Sequence, residues 1–264
     1  MAMLVALALV AVSAPVAAQE KPFEPVVGQA GKDVVWVPTP QSLVEKMLDM
    51  AQVTPQDIVM DLGSGDGRNI IAAARRGATA IGIEFNPEMV ALSNRTAKEA
   101  GVSDKATFVQ GDMYTADISR ATVMALFLLP DNLRKLRDKF MELRPGSRLV
   151  LNTFAIPEWE ADASETVQGN CVSWCTSLLY YVPARADGTW KTSHGDLTLT
   201  QSFQNVTGTL MTGGKEVNVT GKLRGEVITL SASGMELVGK VSGDRIEGAT
   251  WSASRVNLLN AREN

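Results

Sequence analysis

The chain has 264 residues, with 25 Lys and Arg against 29 Asp and Glu, one His and two Cys, and a pI near 5.2. That length holds one α/β domain plus a small second unit. The mildly acidic balance argues against nucleic acid as a partner, since phosphate binding needs a basic footprint, and the two Cys have no His close in sequence to complete a metal site with them.

Residues 1–18 are almost free of polar groups and end in Val16-Ala17-Ala18 before Gln19-Glu20. A small-x-small ending behind an apolar core is the pattern of a signal-peptide cleavage site, and the same length reaches the lower limit of a membrane-spanning helix. The expectation is an exported (periplasmic) protein, or one anchored to a membrane by this segment.

Gln41 to Ala51 carries Leu43, Val44, Met47, Leu48 and Met50 at helical spacing. The apolar run Ile58-Val59-Met60 then leads through Asp61 and Leu62 into Gly63-Ser64-Gly65-Asp66-Gly67, and Asn69 to Arg75 reads as a helix. Strand, glycine turn, helix is the order by which a parallel sheet sets a nucleotide-like ligand at a strand's C-terminal end. The spacing G-x-G-x-G is not the G-x-G-x-x-G dinucleotide fingerprint, and no Gly-Lys-Ser/Thr follows as in a P-loop. The next strand, Ala78 to Ile83, ends in Glu84, 21 residues after Gly63. An acid there accepts hydrogen bonds from ribose hydroxyls and favours a nucleoside with a free 2′-hydroxyl. Asn86-Pro87 opens a helix. The strand Ala106 to Val109 runs into Gln110-Gly111-Asp112-Met113, where an acid suits an exocyclic adenine amine and the following backbone N–H faces the ring.

Ala121 to Leu129 is almost wholly apolar and reads as a central strand; Asp131 caps a basic helix, Leu133 to Leu143, and Pro145-Gly146 turns into the strand Arg148 to Phe154. Five strands alternating with helices predict a Rossmann-like α/β sheet with helices on both faces. The run Thr176 to Val182 is placed to close it as an antiparallel strand. Cys171 and Cys175 leave two readings open, a short-loop disulfide in an oxidising compartment or two small buried residues.

From about residue 186 the texture changes. A short pattern recurs at Val206-Thr207-Gly208, Val219-Thr220-Gly221, Leu237-Val238-Gly239 and Ile246-Glu247-Gly248, with turn signals at Gly213-Gly214, Arg224-Gly225 and Gly243-Asp244. Six to eight short strands forming a small antiparallel barrel-like unit are predicted, the repeated glycines allowing bends as it closes. Two roles are open for this unit, acceptor recognition beside the crevice or stabilisation of the sheet. His194 is read as a surface turn residue. The predicted organisation is 1–18 leader or anchor, 19–184 α/β domain, 188–256 β unit.

Asp61-Leu62-Gly63-Ser64-Gly65-Asp66-Gly67-Arg68, the Glu84 strand end and the Gly111-Asp112 strand end together resemble the class I S-adenosylmethionine-dependent methyltransferases, over about residues 33–183. Trp36-Val37-Pro38-Thr39-Pro40, the helix from Leu43 to Leu48 and the glycine loop are similar to a narrower group. That group is the membrane-anchored protein-lysine methyltransferases related to the ATP synthase c-subunit and adenine nucleotide translocase enzymes. The resemblance implies that S-adenosylmethionine is held by Asp61, Gly63, Gly65, Glu84, Asp112 and Met113, with Thr39 closing over its methionine part. It also implies N-methylation of a protein lysine. Many amino-methylating relatives carry Asn/Asp-Pro-Pro-Tyr/Phe where this chain has Phe127-Leu128-Leu129-Pro130. The polar clamp for planar amines is absent, and an apolar lip suits an aliphatic amine that loses its proton on desolvation. A lipophilic small-molecule acceptor and a non-catalytic nucleoside-binding protein with a β interaction module are the alternatives. No side chain is assigned as catalytic, and no metal is expected.

Overall fold

The stripe Leu43, Val44, Met47 and Leu48 makes one wholly buried face on helix α1 (Gln41–Met50), which packs over the strands that follow. The structure, a computed structural model, describes residues 23–169 and 171–256, so the reading of residues 1–18 as leader or anchor lies outside the described residues. The chain continues through β1 (Ile58–Leu62), α2 (Arg68–Arg75), β2 (Thr79–Glu84), α3 (Pro87–Glu99), β3 (Ala106–Gln110), β4 (Val123–Leu126), α4 (Pro130–Met141), β5 (Arg148–Asn152), β6 (Ala163–Thr166) and β7 (Thr176–Tyr181). The sheet order is β3-β2-β1-β4-β5-β7-β6, with β1 to β5 parallel and β7 antiparallel to both β5 and β6. Strand order reverses between β1 and β4, which opens a crevice at their C-terminal ends.

Alternation along β1 shows how the sheet is covered. Val59 joins a core with residues of α1, α2 and α3, while Met60 and Leu62 join another with Leu133, Leu136 and Phe140 of α4. Helices therefore lie on both faces, and Asp61 points to the α1–α2 side with Val59. Among the described residues no helix is long and apolar enough to cross a membrane.

Several boundaries differ from the sequence expectation. The central strand stops at Leu126 instead of Leu129, because Pro130 is already in the first turn of α4 and Leu129 is its N-cap. Asp131 is consequently in the first helical turn, where its charge meets the helix dipole, and is not the cap. Strand β6 gave no apolar signal, since Ala163, Ser164, Glu165 and Thr166 are all exposed on the sheet edge. Cys171 and Cys175 form a disulfide and are half-buried, so the reading as two buried thiols fails.

The second unit is a closed antiparallel barrel of β8 (Gly188–Thr192), β9 (Gly195–Ser202), β10 (Asn205–Thr212), β11 (Lys215–Arg224), β12 (Val227–Ala232), β13 (Met235–Ser242), β14 (Arg245–Gly248) and β15 (Ser252–Arg255), with β8 paired to both β9 and β15. Trp190, Leu197, Leu210, Leu223, Ile228, Leu230 and Ile246 fill its interior. The recurring glycines answer to close approach. A Cβ on Gly208 would lie 1.9 Å from the carbonyl oxygen of Thr198 across the ladder. His194 sits in the β8–β9 turn.

The barrel docks on the α4 side and the lower edge of the sheet. Ala184 N donates to Gly225 O at 2.8 Å, Gln204 Nε2 to Glu160 O at 2.8 Å and Arg224 Nη2 to Tyr181 Oη at 3.1 Å. Phe203 stacks on Trp159 with centroids 5.6 Å apart. Tyr181 pairs with Arg148 at the start of β5, the end of the sheet opposite the crevice. The expectation that this unit lies beside the crevice is thus corrected: the connection at residues 182–187 leaves from the bottom of β7, and the barrel follows it there.

Candidate functional site

The glycine loop is shaped by backbone conformation. Gly63, Gly65 and Gly67 all have positive φ (74°, 56° and 81°), a region in which a side chain is strained. Gly63 N and Ser64 N both donate to Ile83 O, at 2.8 and 3.0 Å, which pins the loop across the top of β2. Glu84, at the end of β2, accepts from Gly65 N at 2.9 Å through one carboxylate oxygen and from Asn86 N at 2.9 Å through the other. The loop is tied to the entry of α1 by Arg68, whose guanidinium grips Asp66 and donates to Thr39 O at 2.6 Å.

These elements enclose a cleft of about 890 Å³, open mouth included. All seven sequence-predicted residues, Thr39, Asp61, Gly63, Gly65, Glu84, Asp112 and Met113, line it. Asp61 is 3 % exposed; Asn69 Nδ2 donates to its Oδ2 at 2.9 Å, and its Oδ1 has no partner among the described residues. Burial pushes the Asp61 carboxyl well above its ordinary pKa, and nearby Glu84 and Asp66 push the same way. A buried carboxylate oxygen with a free lone pair is a receptor for a cationic donor. Thr39 is buried, and its hydroxyl accepts from Asn152 Nδ2 at 3.2 Å.

Sequence reasoning missed the roof. Gly28 N bonds Trp36 O, Trp36 N bonds Gln29 O and Gly31 N bonds Val34 O, each at 2.9 Å, folding residues 28–36 into a short hairpin over the cleft. Lys32 at its tip donates to Asp112 Oδ2 at 2.5 Å and lies over the rings of Phe85 and Tyr114, at 5.1 and 5.9 Å. Trp36 packs on the glycine loop: a Cβ on Gly65 would come within 2.8 Å of its Nε1. Phe85, Asn86, Met89, Asn69 and Phe127 also line the cleft. Asn69 was legible as the first turn of a helix that follows a glycine loop; the hairpin, with no apolar alternation, left no such signal.

The cleft has the polar set of a nucleoside site. The donor set also fits S-adenosylmethionine: two acids on neighbouring strand ends for ribose and base, and the lone carboxylate oxygen of Asp61 for an ammonium. The model of the ANTKMT methyltransferase domain matches residues 61–163. A protein-lysine N-methyltransferase of Saccharolobus islandicus is 42 % identical over 129 residues, covering 48 % of this chain and 80 % of that protein. The ATP synthase c-subunit lysine N-methyltransferase of Homo sapiens is 30 % identical over 165 residues, covering 57 % of this chain and 70 % of that protein. A solved RNA methyltransferase of Salinibacter ruber, in complex with S-adenosylhomocysteine, is 43 % identical, covers 57 % of this chain and 96 % of that one, and superposes with a TM-score of 0.53. The fold and the cleft define a class I methyltransferase. The chain belongs to the methyltransferase family of the ANTKMT domain. The family model ends before the barrel begins.

Proposed function

We propose that this chain is an S-adenosylmethionine-dependent N-methyltransferase whose acceptor is a lysine side chain of a protein. The observation that carries the cofactor is Asp61, a buried carboxylate with one oxygen unpartnered among the described residues, at the strand-order reversal. Asp61 would hold the cofactor's amino group, Glu84 the ribose, and Asp112 with Met113 N the adenine. Gly63 and Gly65 leave room for close backbone approach, and Thr39 covers the methionine end. The bound cofactor supplies an electrophilic sulfonium methyl group. The residues then have two tasks, to bring a neutral nucleophile in line and to exclude water. Phe127 lines the cleft and Leu129 is exposed, while Leu128 is buried in the α4-side core; an apolar lip at Phe127 favours an amine in its neutral form.

Lysine as the acceptor rests on the names of the relatives and on that lip. The acidic balance of the chain (net charge −4) speaks against RNA, which the solved relative's description names for that protein. The Cys171–Cys175 bond supports work in an oxidising compartment, exported or at a membrane. The test incubates the full chain with tritium-labelled S-adenosylmethionine and cell extract, resolved by gel, by ribonuclease treatment and by solvent extraction. Label in protein, recovered as methyl-lysine after hydrolysis, is the expected result. Label lost to ribonuclease, or moving into solvent, replaces the acceptor by RNA or by a lipophilic small molecule. Cofactor binding without transfer makes the chain a binding protein.

A further inference from the structure

Three aromatic side chains from three separate connections meet at one side of the cleft. Phe127 follows β4 and lines the cleft. Phe154 follows β5, its ring 6.0 Å from that of Phe127 and nearly parallel to it at 15°. Trp174 comes from the β6–β7 hairpin, its ring 6.1 Å from Phe127 and tilted by 56°. Because β4 and β5 lie on the other side of β1 from β2 and β3, Phe127 reaches the cleft from the side of the sheet opposite the strands that end in Glu84 and lead to Asp112.

Trp174 is held there against two preferences. It is 42 % exposed, although a tryptophan is usually covered, and its backbone has φ 52°, the left-handed region that a bulky residue avoids. Two ties keep it in place: the backbone bond Val167 N to Cys175 O at 2.9 Å closes the hairpin, and the Cys171–Cys175 bond closes a ring around the tryptophan. Neither the glycine loop nor the sheet core uses the Trp174 ring. An aromatic face left open beside a methyl-transfer cleft attracts an incoming ammonium ion, and the loss of water on moving from it into the cleft then favours the neutral amine.

We propose that Phe127, Phe154 and Trp174 form the entry wall for the acceptor amine, and that Cys171 and Cys175 are positioning residues that hold Trp174 in that wall. The inference rests on the methyl-transfer reading above and names how its acceptor enters.

The test uses full-length protein and tritium-labelled S-adenosylmethionine, with the acceptor band or species most heavily labelled by wild type as the probe. Trp174→Ala should raise the KM for that acceptor about tenfold while its affinity for S-adenosylhomocysteine stays within about twofold of wild type. Trp174→Phe should recover most of the loss, which a merely structural role at an exposed position does not require. The Cys171→Ser/Cys175→Ser double variant should raise the same KM severalfold with the cofactor affinity again unchanged. Wild-type KM in Trp174→Ala overturns the wall although methyl transfer persists. Wild-type KM in the double serine variant overturns the positioning role alone. If wild type binds S-adenosylhomocysteine yet labels nothing, the methyl-transfer reading falls and takes this inference with it.

Discussion

Lys32 Nζ donates to Asp112 Oδ2 at 2.5 Å, so the hairpin over the cleft is fastened to the end of the third strand by one ion pair. The hydrogen bond from Lys32 holds the Asp112 carboxyl below its ordinary pKa, and the same bond raises the Lys32 ammonium. The depressed acid keeps its contribution above its unfolded pKa and loses it as pH falls through the folded value, below about 4. The raised base keeps its contribution below its unfolded pKa and loses it as pH rises through the folded value, above about 10.4. Across neutral pH the fastening is constant.

Lys32→Ala should therefore loosen the roof without touching the floor. Release of S-adenosylhomocysteine, followed by stopped-flow tryptophan fluorescence, should quicken about two- to fivefold, in keeping with an exposed pair, and wild-type release should quicken towards it in high salt. Release at the wild-type rate under both conditions removes the fastening role.

Asp61 has the opposite linkage. Its folded pKa is raised by burial, so its stabilising effect is complete below the unfolded value and is lost as pH rises through the folded one; at neutral pH its charge destabilises the ligand-free protein. Asp61→Asn removes that charge and keeps a carbonyl oxygen able to accept from Asn69 Nδ2. The variant should melt higher than wild type without ligand, yet bind S-adenosylhomocysteine more weakly by about 1.5–3 kcal/mol, the loss of a charged hydrogen bond. Calorimetry and thermal melting read both halves. A variant that melts lower and binds as wild type would falsify the assignment.

The strand ends that build this floor were legible because each combines an apolar run with an acid at its end. Asp61, Glu84 and Asp112 follow that rule, and all three line the cleft. The roof was not legible. Residues 28–36 have neither period, and Lys32 meets Asp112 across 80 positions, a pairing that only the folded chain creates. The aromatic wall was hidden for the same reason, since Phe127, Phe154 and Trp174 belong to three connections. The barrel was legible as a barrel from its alternation and turns, but its seat was not, because docking at the bottom of β7 depends on where that strand ends.

Glu84→Ala should act on the loop as well as on ligand. It removes the acceptor for Gly65 N and Asn86 N, so cofactor affinity should fall by about 1.5–3 kcal/mol. Hydrogen exchange at Gly65 and Asn86 should rise in the ligand-free protein. Unchanged exchange with weakened binding would leave only the ligand contact.

Gly65→Val strains a left-handed backbone and drives a side chain into the Trp36 ring. Binding of S-adenosylhomocysteine should be lost while the far-ultraviolet circular dichroism stays that of a folded sheet. Full affinity in this variant reduces the loop to an ordinary turn.

The barrel's position bears on its two possible roles. Trp159 is 2 % exposed because Phe203 stacks on it from the barrel, with Tyr180 against its edge at 5.4 Å. Phe203 adopts φ 51°, a conformation disfavoured for its type, and its ring seals this junction. No barrel residue lines the cleft, and the barrel's bonds include one at the Arg148–Tyr181 end of the sheet, opposite the crevice, which favours stabilisation over acceptor selection. Phe203→Ala should lower stability by about 1–3 kcal/mol, less than truncation of a fully buried phenylalanine. At temperatures well below melting its KM for the acceptor should equal that of wild type. A chain ended after Val182 should aggregate, as Trp159 and Tyr180 lose their cover. If Phe203→Ala melts as wild type but loses transfer, the barrel selects the acceptor after all, through a contact that its seat at the opposite end of the sheet does not provide.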